Sequence, residues 1–219
     1  MTDRMSSRAF HESEGVEDWR VLYGRAFACF RTGSFVTGVA LVAAIAEEAE
    51  ALDHHPDVQL RYADVAVRLV SHDIGDLSAR DLELARRISA AARDLGVRAD
   101  PSAVQQVNLT VDALDRAAVM PFWRAVLGYR DDGDKDLVDP RGLGAPLWFQ
   151  QLDEPRPQRN RIHLDIAVPH EQAEARVAAA LAAGGRLVSD EHAPSWWVLA
   201  DAEGNEACIA TWVGRWWEE

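Results

Sequence analysis

The apolar pattern of the chain breaks once, across residues 96–103, and this break limits the possible folds more than any composition figure. Before it lies a helical stretch rich in Ala and Arg, residues 78–95; after it comes a strand-like run. Gly96 suits a helix terminus, and Pro101 discourages the helix from resuming. At 219 residues the chain has room for one or two domains of ordinary size. The break therefore reads as a short linker, with one domain expected over residues 1–98 and another over 103–219. Hydrophobic residues make up 48% and charged residues 27%, so each half can build a core.

Upstream of the break, residues 25–31 alternate as a strand. Residues 62–71 read as another, with Val65, Val67 and Leu69 on one face. Residues 34–52 have helical spacing, with Val39, Val42, Ile45, Ala46 and Ala49 as the apolar stripe. The helix over 78–95 opens on Ser78-Ala79-Arg80-Asp81, a capping-box pattern with Asp in the usual Glu position. The links are too short for repeated parallel crossovers, which predicts an antiparallel sheet with helices on one face. Downstream, strands are expected over 104–111, 147–151, 162–168, 196–199 and 207–213, and helices over 114–127 and 170–183. Strand-helix-strands occurs twice there, a weak internal repeat visible in element order. Both halves are α+β.

Acidic side chains number 36 against 23 basic ones. Such a surface repels phosphate backbones, so nucleic acid is not an expected partner. The two cysteines, Cys29 and Cys208, do not suggest a disulfide framework, which fits a reducing compartment. The first twenty residues hold five acidic side chains and no apolar core, unlike a signal peptide. The most apolar run, 35–46, is shorter than the ~18 residues that argue for a membrane span. A cytoplasmic protein without membrane attachment is expected.

Histidines carry the chemistry of the first half. His54 and His55 sit where the first long helix ends at Pro56, and on helical geometry neighbours diverge by about 100°. His72 lies at the end of the following strand. A helix end and a strand end can meet at one rim of a sheet. Three imidazoles there could divide proton donation and acceptance, because histidine titrates near neutral pH. Taken alone, His-His-Pro is equally a polar helix terminus. Asp81 is explained by its cap alone, Glu50 by solvation, and Tyr62 by packing as well as by stacking on a ligand.

The spacing goes further. Glu50, His54-His55-Pro56, Tyr62, His72-Asp73 and Leu77-Ser78-Ala79-Arg80-Asp81 closely resemble the signature of the pterin-4a-carbinolamine dehydratase family, from about Trp19 to Ala92. The resemblance implies elimination of water from a 4a-hydroxytetrahydropterin to give a quinonoid dihydropterin, with no metal or organic cofactor. It implies that His54, His55 and His72 share acid, base and positioning roles, and that Glu50 and Asp81 contribute to substrate binding or orient imidazoles. It also implies a small-molecule pterin substrate and an assembly of identical copies. A rival reading is a non-catalytic binding or dimerisation module, as animal relatives serve beside transcription factors.

In the second half, Gln106-Val107-Asn108-Leu109-Thr110-Val111, Phe122-Trp123, Leu127-Gly128-Tyr129, His163-Leu164-Asp165 and Asp201-Ala202-Glu203-Gly204-Asn205-Glu206 resemble a glyoxalase-like domain of the vicinal oxygen chelate superfamily. That implies two βαβββ modules over about 103–213. Its metal-binding members would place ligands at Gln106, His163 and Glu206, a donor set suited to a divalent ion. Many such domains bind none. A second rival therefore puts the main activity here, as a metal-dependent lyase or dioxygenase. Trp148, Trp196, Trp197, Trp212, Trp216 and Trp217 read as sheet packing or as a surface that stacks a flat ligand.

Overall fold

The computed structural model describes residues 4–117, 120, 129–154, 162–182, 185–200 and 206–214. The chain forms two compact units. One holds residues 4–104 and 212–214; the other is Gln105–Thr211. Among the described residues, no helix is long and apolar enough to cross a membrane.

The first unit contains helices α1 (Ser7–His11), α2 (Phe35–Leu52) and α3 (Ala79–Asp94). Its strands are β1 (Arg20–Leu22), β2 (Arg25–Arg31), β3 (Asp57–Leu60), β4 (Asp64–Leu69) and β5 (Arg98–Ala99). They form one antiparallel sheet in the order β1-β2-β4-β3, with β5 on β2 beyond β1. Strand alternation sends Ala26, Ala28 and Phe30 of β2, with Val65, Val67 and Leu69 of β4, into one core. Leu41 and Ile45 of α2 and Leu84, Ala85, Ile88 and Ala92 of α3 fill it from the helix side. The expected antiparallel sheet with helices packed on it is thus present.

The buried stripe of α2 differs from the expected one. Gly38, Leu41, Ile45 and Ala49 are buried, whereas Val39 and Ala46 are exposed. The helix is apolar nearly all round, so periodicity cannot choose its inner face. Close approach chooses it: a Cβ on Gly38 would lie 2.4 Å from Cδ1 of Leu60. Any other residue there would require the Leu60 side chain of the β3-β4 hairpin to move.

Trp19 anchors the same core. Its ring is 1% exposed and stands edge-on to Phe30, with centroids 6.3 Å apart. The indole Nε1 donates to the Ala85 carbonyl at 3.2 Å and Ser89 Oγ at 3.1 Å, so the polar edge is satisfied inside the core.

The second unit is built on an eight-stranded sheet: β6 (Gln106–Ala113), β7 (Arg130–Asp131), β8 (Asp136–Val138), β9 (Leu147–Gln151), β10 (Ile162–Ala167), β11 (Arg186–Ser189), β12 (Trp196–Ala200) and β13 (Glu206–Ala210). The order is β11-β12-β13-β10-β6-β9-β8-β7. β6 and β10 pair antiparallel at the centre; β9 lies parallel to β6, and β13 parallel to β10. The twofold repeat in element order thus becomes two matching halves about the β6-β10 seam. The expected helix over 170–183 resolves into a 3-10 turn (His170–Gln172) and helix α4 (Ala173–Ala182), its last position lying outside the described residues. Most of the expected helix over 114–127, the turn at 201–205 and Trp216-Trp217 also lie outside them.

Replacing Trp19 by Phe keeps the ring but leaves the buried Ser89 hydroxyl and Ala85 carbonyl without their shared donor. We expect a loss of about 1–3 kcal/mol in the stability of this unit, read as a lower urea midpoint for its transition by circular dichroism. An unchanged midpoint would show that the indole hydrogen bonds contribute nothing net.

Candidate functional site

The site is assembled where α2 ends, β4 ends and α3 begins. Helix α2 stops at Leu52 because Asp53 adopts the left-handed conformation, φ 48°, while its N–H bonds back to the carbonyls of Ala49 and Glu50. Aspartate tolerates that region better than most residues. His54 N–H then bonds to the Ala49 carbonyl at 3.1 Å. The two histidines therefore lie beyond the helix. Their divergence is not the 100° of helical neighbours; it comes from non-helical chain leading into β3, where His54 is buried and His55 exposed.

His54 points into the protein. Its Nε2 lies 2.8 Å from Oδ1 of Asp81, and the Asp81 side chain is wholly inaccessible to solvent. Oδ2 of Asp81 accepts from Ser71 Oγ at 2.7 Å, Ser78 N at 2.8 Å and Ser78 Oγ at 3.2 Å. The Ser78 and Ser71 hydroxyls are 2.7 Å apart. Ser78 caps α3, and with Asp81 it completes the capping box expected from the sequence. With every other neighbour of the carboxylate a donor, His54 must present Nε2–H to Asp81.

Ser71, which precedes His72, belongs to the same network. Asp57 of β3 faces Arg68 of β4, so the chain running from His54-His55-Pro56 into β3 lies alongside the chain leaving β4 toward Ser71-His72. His72 is exposed, as is His55, whose Nε2 lies 3.0 Å from Glu50 Oε1. Next to His72, Asp73 forms a two-pronged ion pair with Arg80 at 2.7 and 3.0 Å. This holds the Asp73 carboxyl below its ordinary range, with a smaller contribution from the nearby His54.

The expected residues thus separate by location. His55, His72 and Glu50 are exposed at the rim. Asp81, expected among residues that touch substrate, is sealed beneath His54 and bonds to His54, Ser71 and Ser78. Tyr62 is 76% exposed in the β3-β4 hairpin. Sequence reading missed Ser71, which joins β4 to the Asp81 network; its position directly before His72 was the available signal.

In the second unit, Gln106, His163 and Glu206 lie on one face of the sheet but do not converge. β6 and β10 run antiparallel, and Gln106 and His163 stand near the starts of their strands, at opposite ends of the pair. Gln106 faces Ala167, and His163 faces Thr110. The four-residue offset is about 13 Å along the strand. The Gln106 amide donates to the Val107 carbonyl instead. Glu206 starts β13, parallel to β10, and the register sets it beside His163. The three do not fit as ligands of one ion. On the same face, Asp165 stands opposite Asn108 and beside Cys208, with Thr110 Oγ1 donating to Asp165 Oδ2 at 3.2 Å.

Residues 2–91 match the family model for pterin 4 alpha carbinolamine dehydratase, and residues 108–210 the model for a glyoxalase-like domain. A protein of Nocardia farcinica, provisionally named pterin-4-alpha-carbinolamine dehydratase, is 36% identical over 80 residues, covering 36% of this chain and 84% of that one. The crystal structure of a transcriptional coactivator/pterin dehydratase from Brucella melitensis aligns over 41% of this chain and 98% of its own, at 27% identity and a TM-score of 0.39. A glyoxalase/bleomycin resistance protein/dioxygenase superfamily member from Vibrio splendidus aligns over 49% of this chain and 99% of its own, at 15% identity and a TM-score of 0.34. The chain belongs to the pterin-4a-carbinolamine dehydratase family through its N-terminal part and carries a glyoxalase-like domain after it.

Proposed function

We propose that the N-terminal unit removes water from 4a-hydroxytetrahydropterins by histidine acid–base catalysis. The observation that carries this is the buried Asp81 carboxylate, which ties His54 to the residue preceding His72. In the reaction the C4a–O bond breaks, the hydroxyl leaves as water with an added proton, and N5 gives up its proton to form the C4a=N5 double bond. One imidazolium donates and one neutral imidazole accepts, and between turnovers the proton passes back. The exposed rings of His55 and His72 suit the two transfers. His54, with its tautomer set by Asp81, is a positioning residue at the floor. Glu50 reaches His55 across an exposed pair that contributes little to stability, so its role lies in ring orientation.

We propose further that the two domains, over residues 1–98 and 103–219, are separable and that dehydration belongs to the first. No residue of the dehydratase signature lies beyond Asp81. Trp212, whose ring lies 5.2 Å from that of His11, groups with the N-terminal unit, so a fragment cut before it loses that contact.

A second reading, an assembly module, is favoured by the outer face of α2. Phe35 is 50%, Val36 79% and Val39 49% exposed there. A second copy of this chain would cover this face in the same way on both partners. It is compatible with catalysis, and turnover separates the readings.

Replacing His55 or His72 by Ala should lower kcat/KM about 10²-fold or more, measured by stopped-flow absorbance on a 4a-hydroxytetrahydropterin without added metal. Asp81→Asn should lower kcat with little change in KM, because it disturbs His54 without touching substrate. Unchanged rates in all histidine variants would remove the mechanism. A fragment ending at Val104 should keep most turnover per molecule, with circular dichroism confirming that it is folded; a folded but inactive fragment would mean that the second domain completes the site. In light scattering, Val36→Glu should shift the full chain toward monomer, and an unchanged mass would move the assembly surface elsewhere.

A further inference from the structure

We propose that the polar face of the second sheet holds a zinc-type divalent ion on His163, Asp165 and Cys208, a different ligand set from Gln106, His163 and Glu206. The imidazole, carboxylate and thiol donor atoms of these three all lie within 4.8 Å of one another. Around a tetrahedral zinc, donors stand about 3–4 Å apart, given Zn–N and Zn–S lengths near 2.0 and 2.3 Å. Small rotamer changes close that difference.

Strand geometry explains the convergence. His163 and Asp165 are two apart on β10, so their side chains leave the same face. Cys208 is the direct neighbour of Asp165 on β13. Strand pairing therefore presets three donors on one patch, with no loop to be ordered.

The surroundings fit a cation. Oδ1 of Asp165 is shielded from solvent and accepts no hydrogen bond among the described residues, although His163 Nε2 is 3.5 Å away. Oδ1 of Asn108, on the residue facing Asp165, is shielded and unbonded as well. Oxygen lone pairs left unsatisfied at one place favour a positive charge there. The other Asp165 oxygen is already held by Thr110, the kind of outer hydrogen bond that orients a ligating carboxylate. A thiolate and a carboxylate together neutralise a dication.

The donor set also selects the ion. One thiolate, one imidazole and one carboxylate suit zinc better than magnesium, calcium or manganese, which prefer oxygen alone. Three protein ligands leave a fourth position for water or for an oxygen or nitrogen atom of a substrate, the pattern of a catalytic site more than a structural one. Cys29 does not compete well, since burial pushes its thiol pKa up and keeps it protonated.

The full chain, purified without a histidine tag and stripped with chelator, should bind one zinc per chain in calorimetry. Cobalt(II) at the same site should give a thiolate-to-metal charge-transfer band. Cys208→Ser should abolish the band, and Asp165→Asn or His163→Ala should weaken cobalt binding at least 10-fold, with circular dichroism unchanged. Cys29→Ser and Gln106→Ala should leave band and affinity intact. The proposal is overturned if the wild type binds neither ion at micromolar concentrations. It is equally overturned if the band survives Cys208→Ser, or if Gln106→Ala abolishes binding while Cys208→Ser does not. Dehydration is assayed separately, so neither result bears on the N-terminal reading.

Discussion

The buried polar network of the N-terminal unit depends on one carboxylate, that of Asp81. Isolated in a protein interior, an ionised Asp costs several kcal/mol. Asp81 offsets this by accepting hydrogen bonds from the His54 ring, the Ser71 hydroxyl, and the backbone and hydroxyl of Ser78. These donors come from three parts of the chain: the exit of α2, the exit of β4 and the cap of α3. The elements must therefore meet in one register, because a displaced donor would leave a charge unpaired in the core. One arrangement thus holds the His54 ring and joins three elements of the fold.

What could be read from sequence follows the range of each interaction. The capping box spans four residues, and its expected form is the one observed. The alternation of Val65, Val67 and Leu69 is local too, and these side chains enter the core as expected. The spacing of His54, His72 and Asp81 was visible only as a resemblance. That Asp81 lies beneath His54, with no contact to solvent, follows from tertiary packing and has no local signature. The end of α2 at Leu52 matches the expected range, but its cause was not legible. Pro56 looked like the terminator, but Asp53 in the left-handed region stops the helix three residues earlier.

The inner face of α2 shows a second limit. When a helix is apolar on most sides, a hydrophobic stripe cannot be found by period alone, and steric contact with another element decides. Here the decision falls to Gly38 against Leu60, on a strand of four residues, Asp57–Leu60, too short and too polar to be recognised in advance. The face left outward, with Phe35, Val36 and Val39, is then apolar by default of the same geometry.

In the first unit both oxygens of the buried Asp81 carboxylate are satisfied. In the second, the strand alternation was legible and the element repeat is realised in the sheet, but the register between β6 and β10 was not legible. Antiparallel pairing puts the starts of two strands at opposite ends, so ligands carried over by strand position, Gln106 and His163, are separated. It also puts Asp165 against Asn108, where one oxygen of each side chain is shielded and unbonded among the described residues. Each such group costs about 1–3 kcal/mol. A sheet that carries two of them beside a histidine and a thiol is destabilised where a cation would be most strongly held.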